Sequence, residues 1–448
     1  MLKALLHLAS YFFALLGLCG LGYLMLSLWS EWRYLQRRRA ALSRTLPHQQ
    51  ANSGLAVLGE PRGPGGLGGF TPPVSILKPL RGSDRQMYES FRSHCLQDYP
   101  QYEIIFGVND PEDPAVADVE RLRREFPAHN LRLAICPEPT GGNRKVCNLV
   151  KMMETAKYDY IVINDSDIRV EHDYLRRMVA PMEANAMRAA PPAAARAQTD
   201  FTQTSEEKTA GMSGDMPGHM KKDAPVGLVT ALYRAVAGRT LASRMEAVTI
   251  ATDFAGGVLC ALELEGGLHF GLGSTLAFPR EAAEAIGGLE ALVDYLADDH
   301  ELGRMIAEAG YKVVLSESVV ETFLPDYGWR AMFEHQLRWA RTIRDLRKWG
   351  YIGVLLTFGL PWAMLAALCA GGAPWSMALL GVVAAARFAS AVTLCGPVLR
   401  DRQTMRDLWL VPVRDLAGVA IWFASFGGDT IVWRGERFHL KDGKLTRA

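Results

Sequence analysis

Two carboxylates follow an apolar run in the stretch IVINDSDIRV, residues 161–170. Asp165 and Asp167 are two positions apart, so their side chains point the same way if the strand continues through them. Like charges at that distance repel, and a divalent cation removes the repulsion. Hard cations such as Mg²⁺ or Mn²⁺ bind oxygen ligands and commonly share them with substrate phosphates. The alternative is an Asx-turn or a helix cap, because aspartate is frequent in turns.

A second apolar run, EIIFGV, leads into Asn109 and Asp110. Taken alone, Asp110 is typical of a turn, but two strands that both end in aspartate favour a site. In the segment GGNRKVCNL, Arg144 and Lys145 lie at the expected start of a helix, where the helix dipole disfavours a cation. An anionic ligand would compensate for that cost, and a solvated lysine is the alternative.

The segment ADDHELGRMIAEAG, residues 297–310, begins a third element of interest. Asp298 and Glu301 have the spacing of a capping box, which leaves Asp299 without a capping role. Beside a metal-diphosphate site, Asp299 is a candidate general base for an attacking hydroxyl. The helix N-terminus would lower its pKa, so the role requires burial or a neighbouring charge to offset that effect.

A basic helix is expected over EHQLRWARTIRDLRK, residues 334–348. Its arginines recur at helical spacing, and from Arg344 onward they favour contact with anionic lipid headgroups. Arg338 followed by Trp339 instead suggests phosphate and aromatic contacts at the mouth of a site.

The elements that would position these residues alternate between short apolar runs and amphipathic stretches of helix length. Repeated βαβ units of this kind predict a parallel, Rossmann-like sheet, which binds ligands beyond the carboxyl ends of its strands. Helices are predicted near residues 86–95, 114–125 and 145–156, between strands at 74–77, 103–108, 131–135 and 160–164. Further on, we expect a strand at 227–233, a helical stretch near 241–262 and a loop at 269–278.

The two ends of the chain are apolar. Residues 4–30 carry no formal charge and exceed the roughly 20 residues needed to cross a bilayer, which favours an anchor over a cleaved signal peptide. The arginines that follow place the next domain in the cytoplasm. Segments 351–373 and 375–399 predict a membrane hairpin, and 408–433, basic on both flanks, favours an interfacial or re-entrant segment.

Composition excludes several classes of protein. The 448 residues carry a net charge of +1, which does not favour nucleic acid as the main partner. The seven cysteines form no CxxC pair, so neither a zinc knuckle nor a disulfide framework is indicated. No P-loop occurs, and the glycine-rich GGLGGF lies in a linker, so the usual signatures of nucleotide hydrolysis and dinucleotide redox chemistry are missing.

In order, these motifs resemble the D, DxD, D, (Q/R)xxRW series of glycosyltransferase families 2 and 21. The context resembles ceramide glucosyltransferases and their bacterial relatives, including hopanoid-associated glycosyltransferases. Matching stretches are PVSILKPLRG, GVNDPEDPA, NRKVCNL, NDSDIRV and FGLGSTLAF, and the likeness spans about residues 72–345. His335 departs from the pattern, which has Gln or Arg there, and Gln336 is out of register, so the contact normally made from that position is in question.

The resemblance implies an α/β fold of the GT-A type, in the cytoplasm, with transmembrane helices before and after it. It implies a UDP-sugar donor, Mg²⁺ or Mn²⁺ as cofactor, and a lipid acceptor in a membrane, which in a bacterium is the inner membrane. The implied roles are uridine contact for Asp110, metal and diphosphate binding for Asp165 and Asp167, deprotonation of the acceptor for Asp299, and diphosphate and acceptor contacts for Arg338 and Trp339. The expected product is a β-linked glycolipid of glucose or N-acetylglucosamine. Alternatives are a processive polysaccharide synthase and a catalytically silent membrane scaffold.

The expected division of the chain places a catalytic domain between two membrane regions. In order, the expected parts of the chain are an anchor (1–32), a basic and Gly/Pro-rich linker (33–72), the catalytic domain (73–345) with a disordered insertion (186–223), membrane segments (346–433) and a tail (434–448).

Overall fold

The computed structural model describes residues 1–50, 69–84, 86–136, 141–185, 224–433 and 436–447. The insertion expected at 186–223 and most of the Gly/Pro-rich linker lie outside these residues. The first helix, α1, runs without a break over Leu2–Gln50 and so extends past residue 33, where the linker was expected to begin.

A seven-stranded sheet forms the centre of the catalytic domain, in the order β3-β2-β1-β4-β6-β5-β7. Its strands are β1 (Val74–Pro79), β2 (Tyr102–Val108), β3 (Leu131–Ile135), β4 (Tyr160–Asn164), β5 (Val226–Val236), β6 (Thr275–Pro279) and β7 (Lys312–Phe323). The first four strands are parallel, as predicted. β6 is antiparallel to both of its neighbours, so the expectation of an all-parallel sheet and of a loop through 269–278 is wrong there.

The helices that flank the sheet are α2 (Met87–Cys95), α3 (Ala115–Glu125), α4 (Arg144–Thr155), α5 (Tyr174–Val179), α6 (Leu241–Thr249), α7 (Ala255–Leu264), α8 (Arg280–Glu284), α9 (Asp298–Glu308) and α10 (Trp329–Leu346). The three helices predicted between the first four strands, α2 to α4, lie within about two residues of their predicted limits, whereas the basic helix α10 begins earlier than predicted. A π-helical turn, Ile250–Phe254, joins α6 to α7.

Apolar side chains cover both faces of the sheet, which explains why its strands read as continuous apolar runs. In β1, Ile76 belongs to the apolar cluster on one face and Leu77 to the cluster on the other. In β4, Val162 and Ile163 divide in the same way. The polar residues of the candidate site lie at the ends of these strands.

Four helical segments in the described part of the chain are long and apolar enough to cross a membrane: Leu2–Ala40, Leu241–Leu264, Pro374–Val398 and Leu408–Ser425. The predicted span at 351–373 is divided between two helices, α11 (Lys348–Val354) and α12 (Gly359–Cys369), which are bent by 52° at a short break and together are apolar enough for a broken span or a re-entrant loop. Then follow α13 (Pro374–Thr393), α14 (Arg402–Arg406) and α15 (Val411–Ser425). By length and composition, Leu408–Ser425 meets the requirement for a full crossing, which the sequence had disfavoured.

The expected tail is an ordered part of the fold. Strands β9 (Glu436–Lys441) and β10 (Lys444–Arg447) join β8 (Thr430–Trp433) in a second sheet. The backbone N–H of Leu296 donates to the carbonyl of Gly443 at 3.0 Å, and that of Leu445 donates to Asp294 at 2.8 Å. The end of the chain therefore holds the loop that precedes α9.

Candidate active site

Asp165 and Asp167 lie in a turn directly after β4. The strand ends at Asn164, and the N–H of Ile168 donates to the carbonyl of Asp165 at 3.3 Å, so the strand does not continue through the two aspartates. The two carboxyl groups are nevertheless close enough to interact. Burial and the charge of Asp165 raise the pKa of Asp167 to about 6, although the Thr322 hydroxyl donates to its carboxylate.

Lys78, at the end of β1, lies beneath this turn. Its side chain is fully buried, and Nζ donates to the carbonyl oxygen of Asp165 at 2.9 Å. Burial lowers the pKa of Lys78 to about 7, against the opposing charges of Asp167 and Asp165. We did not assign Lys78 to the site from the sequence. The signal was a single lysine inside the apolar strand VSILKP, where a cation needs a partner.

Lys145 joins two parts of the chain that are distant in sequence. Asn143 caps α4 by accepting from the N–H of Lys145 at 3.1 Å, which fixes the start of the helix where it was predicted. The side chain of Lys145 then reaches Asp165 Oδ1 at 2.9 Å and Asp298 Oδ2 at 3.2 Å. Burial lowers the pKa of Lys145, but these two carboxylates and that of Asp299 outweigh it and raise the pKa above its ordinary value.

Asp298 does not cap α9. The helix begins at Asp298 itself, the cap position is Ala297, and no side chain makes a cap hydrogen bond, so the predicted capping box is wrong. Asp298 instead accepts from Asn143 Nδ2 at 3.3 Å and pairs with Lys145. Asp298, which the sequence pattern assigned to local capping, thus pairs with a lysine that also contacts Asp165.

Asp299 is adjacent to this pair, and the backbone at Gly271 and Gly273 approaches it closely. The N–H of Gly271 donates to the Asp299 carbonyl at 3.2 Å, and a Cβ on Gly273 would lie 3.0 Å from Asp299 Oδ2. Burial and the charge of Asp298 raise the pKa of Asp299 to about 6, while Lys145 acts in the opposite direction. The burial and neighbouring charge that a catalytic base at a helix N-terminus requires are therefore both present.

Tyr233 connects the carboxylates to α10. Burial and then the charge of Asp299 raise the pKa of the Tyr233 phenol well above its ordinary value, and Asp165 and Asp167 contribute. The ring centre of Tyr233 lies 4.9 Å from that of Phe254. Phe254 lies 6.1 Å from Trp339. The sequence gave no indication of Tyr233, which is one of several aromatic residues in apolar segments.

His335 has a partner that its sequence position did not reveal. Its Nδ1 contacts the carboxylate of Glu246, which is fully buried and also accepts from the Tyr327 hydroxyl. The His335 and Trp339 rings lie 5.1 Å apart. Gln336 Nε2 is buried and has no hydrogen-bond partner among the described residues. His335 is therefore joined to Trp339 on the same helix, whereas Gln336 is not engaged there.

Two other expectations concern Asp110 and the basic helix. Asp110 is exposed, and its Oδ1 accepts from the N–H of Glu112 at 2.9 Å, the Asx-turn that was its alternative interpretation. Arg338 lies next to Trp339 in α10, and its carbonyl accepts from the Thr342 hydroxyl at 2.8 Å. Arg344, for which lipid contact was predicted, is mostly buried and donates to the carbonyl of Gly428 at 3.2 Å.

The donor set fits a divalent cation shared with a substrate. No group of three or more His, Cys, Asp or Glu side chains suited to a metal occurs in the described ranges. Asp165 and Asp167 offer carboxylate oxygens, and the raised pKa of Asp167 shows two acids whose repulsion a cation would relieve. Such sites usually complete their coordination with phosphate oxygens and water.

The chain is similar to several known proteins. The chain is 23% identical to ceramide glucosyltransferase 3 of Caenorhabditis elegans over 387 residues, covering 83% of this chain and 73% of the relative. It is 37% identical to the ceramide glucosyltransferase of Komagataella phaffii over 110 residues, which cover 24% of this chain and 22% of that protein.

Among solved structures, the chain is similar to the mannosyltransferase PcManGT of Pyrobaculum calidifontis in complex with GDP-Man and Mn²⁺. That likeness has a TM-score of 0.44 at 18% identity and covers 92% of this chain and 98% of the other. A second similarity is to S. aureus TarS, with a TM-score of 0.34 at 12% identity over 84% of this chain and 60% of the other.

The mixed sheet with acidic residues at its strand ends is a GT-A fold, and the protein is a glycosyltransferase. The chain belongs to glycosyl transferase family 21, whose profile matches residues 12–208 and 208–446.

Proposed function

We propose that this glycosyltransferase transfers a hexose, glucose or N-acetylglucosamine, from a UDP-sugar to a hydroxyl group of a membrane lipid. The acceptor is ceramide-like or hopanoid-like, and the product is a β-glycolipid. One observation carries the proposal: Lys145 joins Asp165 to Asp298, directly beside Asp299, whose pKa is raised to about 6. A base next to a cation that contacts the acidic turn suits a hydroxyl acceptor and a diphosphate leaving group.

In the proposed reaction, Asp299 accepts the proton of the acceptor hydroxyl. The hydroxyl oxygen forms a bond to the anomeric carbon, and the bond from that carbon to the diphosphate oxygen breaks. UDP leaves with the electron pair, and this single displacement inverts the anomeric centre. A carboxylate with a pKa near 6 is a stronger base than an ordinary aspartate and remains ionised at neutral pH.

The leaving diphosphate requires positive charge in a site shielded from water. Lys145 contacts the carboxylate of Asp165 in the acidic turn at 2.9 Å, and Arg338 and Trp339 are proposed to contact the diphosphate and the acceptor side. Mg²⁺ or Mn²⁺, held by Asp165 and Asp167, would add charge against the diphosphate. Asp110 is proposed to contact the uridine, as the family pattern implies.

The proposed layout keeps the domain division, with a catalytic domain over 73–345 at the cytoplasmic face and membrane segments on both sides. It is supported by three apolar segments outside this domain that are long enough to cross a membrane: Leu2–Ala40, Pro374–Val398 and Leu408–Ser425. In a bacterium the membrane would be the inner membrane. A lipid alcohol could then reach the site laterally from the bilayer.

The test supplies purified protein in detergent with radiolabelled UDP-glucose or UDP-N-acetylglucosamine, Mg²⁺ or Mn²⁺, and ceramide, diacylglycerol or a hopanoid polyol. We expect a labelled lipid whose mass matches one added hexose. Asp299→Asn should abolish it, while Asp159→Asn, at an exposed position, serves as the matched control. Labelled water-soluble polymer without labelled lipid would indicate a polysaccharide synthase, and full activity of Asp299→Asn would contradict the assigned base.

A further inference from the structure

The helix that carries Arg338 and Trp339 buries few of its residues. Among the described residues of α10 (Trp329–Leu346), only Met332 is buried. A helix on the surface of a domain is usually held by a buried apolar stripe, and most of its stability comes from that packing. The position of α10 therefore depends strongly on polar contacts.

One of these polar contacts is made by a carboxylate in α6. Glu246 is fully buried, and its two oxygens contact different parts of the chain. The Tyr327 hydroxyl donates to Oε2 just before α10 begins, and His335 Nδ1 contacts Oε1 from within that helix. The carbonyl of Tyr327 also accepts from the hydroxyl of Thr240, which caps α6, at 2.8 Å. Glu246 thus attaches α10, and the segment that leads into it, to α6.

The contact between Glu246 and His335 fixes the orientation of the histidine ring. A carboxylate that is removed from water is costly unless it is paired and hydrogen-bonded. In the described part of the chain, His335 is the one basic side chain that pairs with Glu246. An ionised carboxylate only accepts hydrogen bonds, so Nδ1 is the ring nitrogen that donates to it. The contact therefore determines both the direction of the ring and the position of one of its protons.

His335 in turn packs against Trp339, one turn further along α10. The two ring centres lie 5.1 Å apart, since residues four apart on a helix lie on the same face. Trp339 lies 6.1 Å from Phe254, and Phe254 lies 4.9 Å from Tyr233. Burial and then the charge of Asp299 raise the pKa of the Tyr233 phenol, so this row of rings ends beside the proposed base.

The other end of α10 is attached to the C-terminal sheet and the loop before it. Arg344 donates to the carbonyl of Gly428 at 3.2 Å, and the N–H of Gly443 donates to Asp345 Oδ2 at 2.6 Å. The part of α10 between these contacts and those of Glu246 carries the two residues that are proposed to contact the substrates. The two attachments therefore set where those residues lie.

We propose that Glu246 is a positioning residue for the transfer reaction, which acts through His335 to hold Trp339 at the acceptor side of the site. The inference rests on the proposed function, and it gives a role to the position where the family pattern has Gln or Arg. Glutamine is neutral and needs no carboxylate beside it, whereas His335 is oriented by one. Glu246 and His335 therefore act as a pair.

The first experiment measures kcat and the KM for ceramide and for UDP-glucose in Glu246→Gln. The amide keeps the shape of the side chain and still accepts from Tyr327, but it lacks the charge that pairs with His335. We expect KM for ceramide to rise about tenfold, the equivalent of one hydrogen bond, with KM for UDP-glucose within about twofold of the wild type. Loss of folded protein lowers kcat alone, so a change in one KM reports on the geometry of the site. Equal changes in the two KM values, or no change in either, would overturn the proposal.

The matched control is Glu103→Gln. Glu103 is also fully buried, accepts from the Ser75 hydroxyl at 2.7 Å and pairs with Arg132 at 3.2 Å. It lies near the start of β2, whereas the candidate site lies at the carboxyl ends of the strands. Glu103→Gln should lower the thermal midpoint and leave both KM values unchanged. A rise in KM for ceramide as large as that in Glu246→Gln would contradict the proposal.

Rescue by a second substitution tests the pair. His335→Gln leaves Glu246 as a buried carboxylate without a basic partner, so KM for ceramide should rise in this variant too. In Glu246→Gln/His335→Gln, two amides can pair and no charge is buried. We expect KM for ceramide to return to within about threefold of the wild type, as coupled residues do. Effects that add in the double variant would overturn the proposal.

The last experiment does not depend on turnover. Hydrogen exchange of the full-length protein in detergent is followed by mass spectrometry in peptides that cover α10. We expect these peptides to exchange at least about fivefold faster in Glu246→Gln, with slow exchange restored in the double variant and unaltered in Glu103→Gln. Exchange of α10 at the wild-type rate in Glu246→Gln would contradict the anchoring role.

The two proposals can fail separately. Faster exchange of α10 in Glu246→Gln, in a protein that transfers no sugar, would support the anchor and contradict the proposed reaction. Glycolipid formation with unchanged KM values and unchanged exchange in Glu246→Gln would support the reaction and contradict the role of Glu246.

Discussion

The pH dependence of transfer tests the role of Asp299 most directly. Burial and the neighbouring Asp298 raise the pKa of Asp299 to about 6. A base must be deprotonated to act, so activity is present above this pKa and is lost as the pH falls through it. With a pKa near 6, the ionised fraction falls from about nine-tenths at pH 7 to about one-tenth at pH 5, and we expect kcat to fall roughly tenfold.

Two substitutions should move this acidic limb in opposite directions. Asp298→Asn removes the negative charge that raises the pKa of Asp299 and frees Lys145 to act on it, so the limb should shift to lower pH by about one unit. Lys145→Met removes the cation that lowers the pKa of Asp299, so the limb should shift to higher pH. Asp299→Asn should lower kcat by about 10² to 10⁴ at every pH, with KM for UDP-glucose nearly unchanged.

The assay measures kcat at saturating donor and lipid from pH 4.5 to 8, at roughly half-unit steps, with excess Mg²⁺ so that Asp167 stays ionised. Asp159→Asn is the control for a carboxyl-to-amide change outside the site. A limb that moves to higher pH in Asp298→Asn, or an Asp299→Asn variant within about tenfold of the wild-type kcat, would refute the reasoning.

Three further predictions concern groups around the site. Asp165→Ala should lower transfer at least about a hundredfold with an unchanged circular dichroism spectrum, and recovery in excess Mn²⁺ would contradict its role. Lys78→Met removes the buried donor to the Asp165 carbonyl, so the Mn²⁺ concentration for half-maximal activity should rise about tenfold. The thermal midpoint should change little, because an apolar side chain of similar length replaces a buried cation. An unaltered Mn²⁺ titration would contradict the predicted role of Lys78. Deletion of 436–448 removes the backbone bonds to Leu296 and Asp294 and should lower kcat at least about tenfold, whereas full activity would show that this sheet only covers the surface.

Local pattern was sufficient for much of the fold. The alternation of apolar runs and amphipathic stretches predicted β1 to β4 and the helices between them, because burial on both faces of a parallel sheet produces continuous apolar strands. β6 was missed because TLAFP is a short apolar run directly after a glycine-rich segment, and the two together were interpreted as one loop. Its direction depends on pairing with β4 and β5, which no local pattern encodes.

The candidate site divides in the same way. Motif order and resemblance pointed to Asp165, Asp167, Lys145 and Asp299 as members of one site, and the fold brings them together. The role of Asp298 was misjudged because the capping-box pattern was a sufficient local explanation. Lys78 and Tyr233 carry no motif, and their place in the site depends on strand ends that converge from distant parts of the chain.

By itself, the sequence determined the class of protein, the acidic and basic residue types that such chemistry requires, and the apolar segments suited to a membrane. The class of protein follows from the resemblance of its ordered motifs to known glycosyltransferases, and the rest follows from composition and spacing along the chain. Only the tertiary structure decided which partners surround each charge: Lys145 between Asp165 and Asp298, and Glu246 against His335. Burial and charge pairs set the pKa of a carboxylate, and both depend on residues that are far apart in sequence and close only after folding.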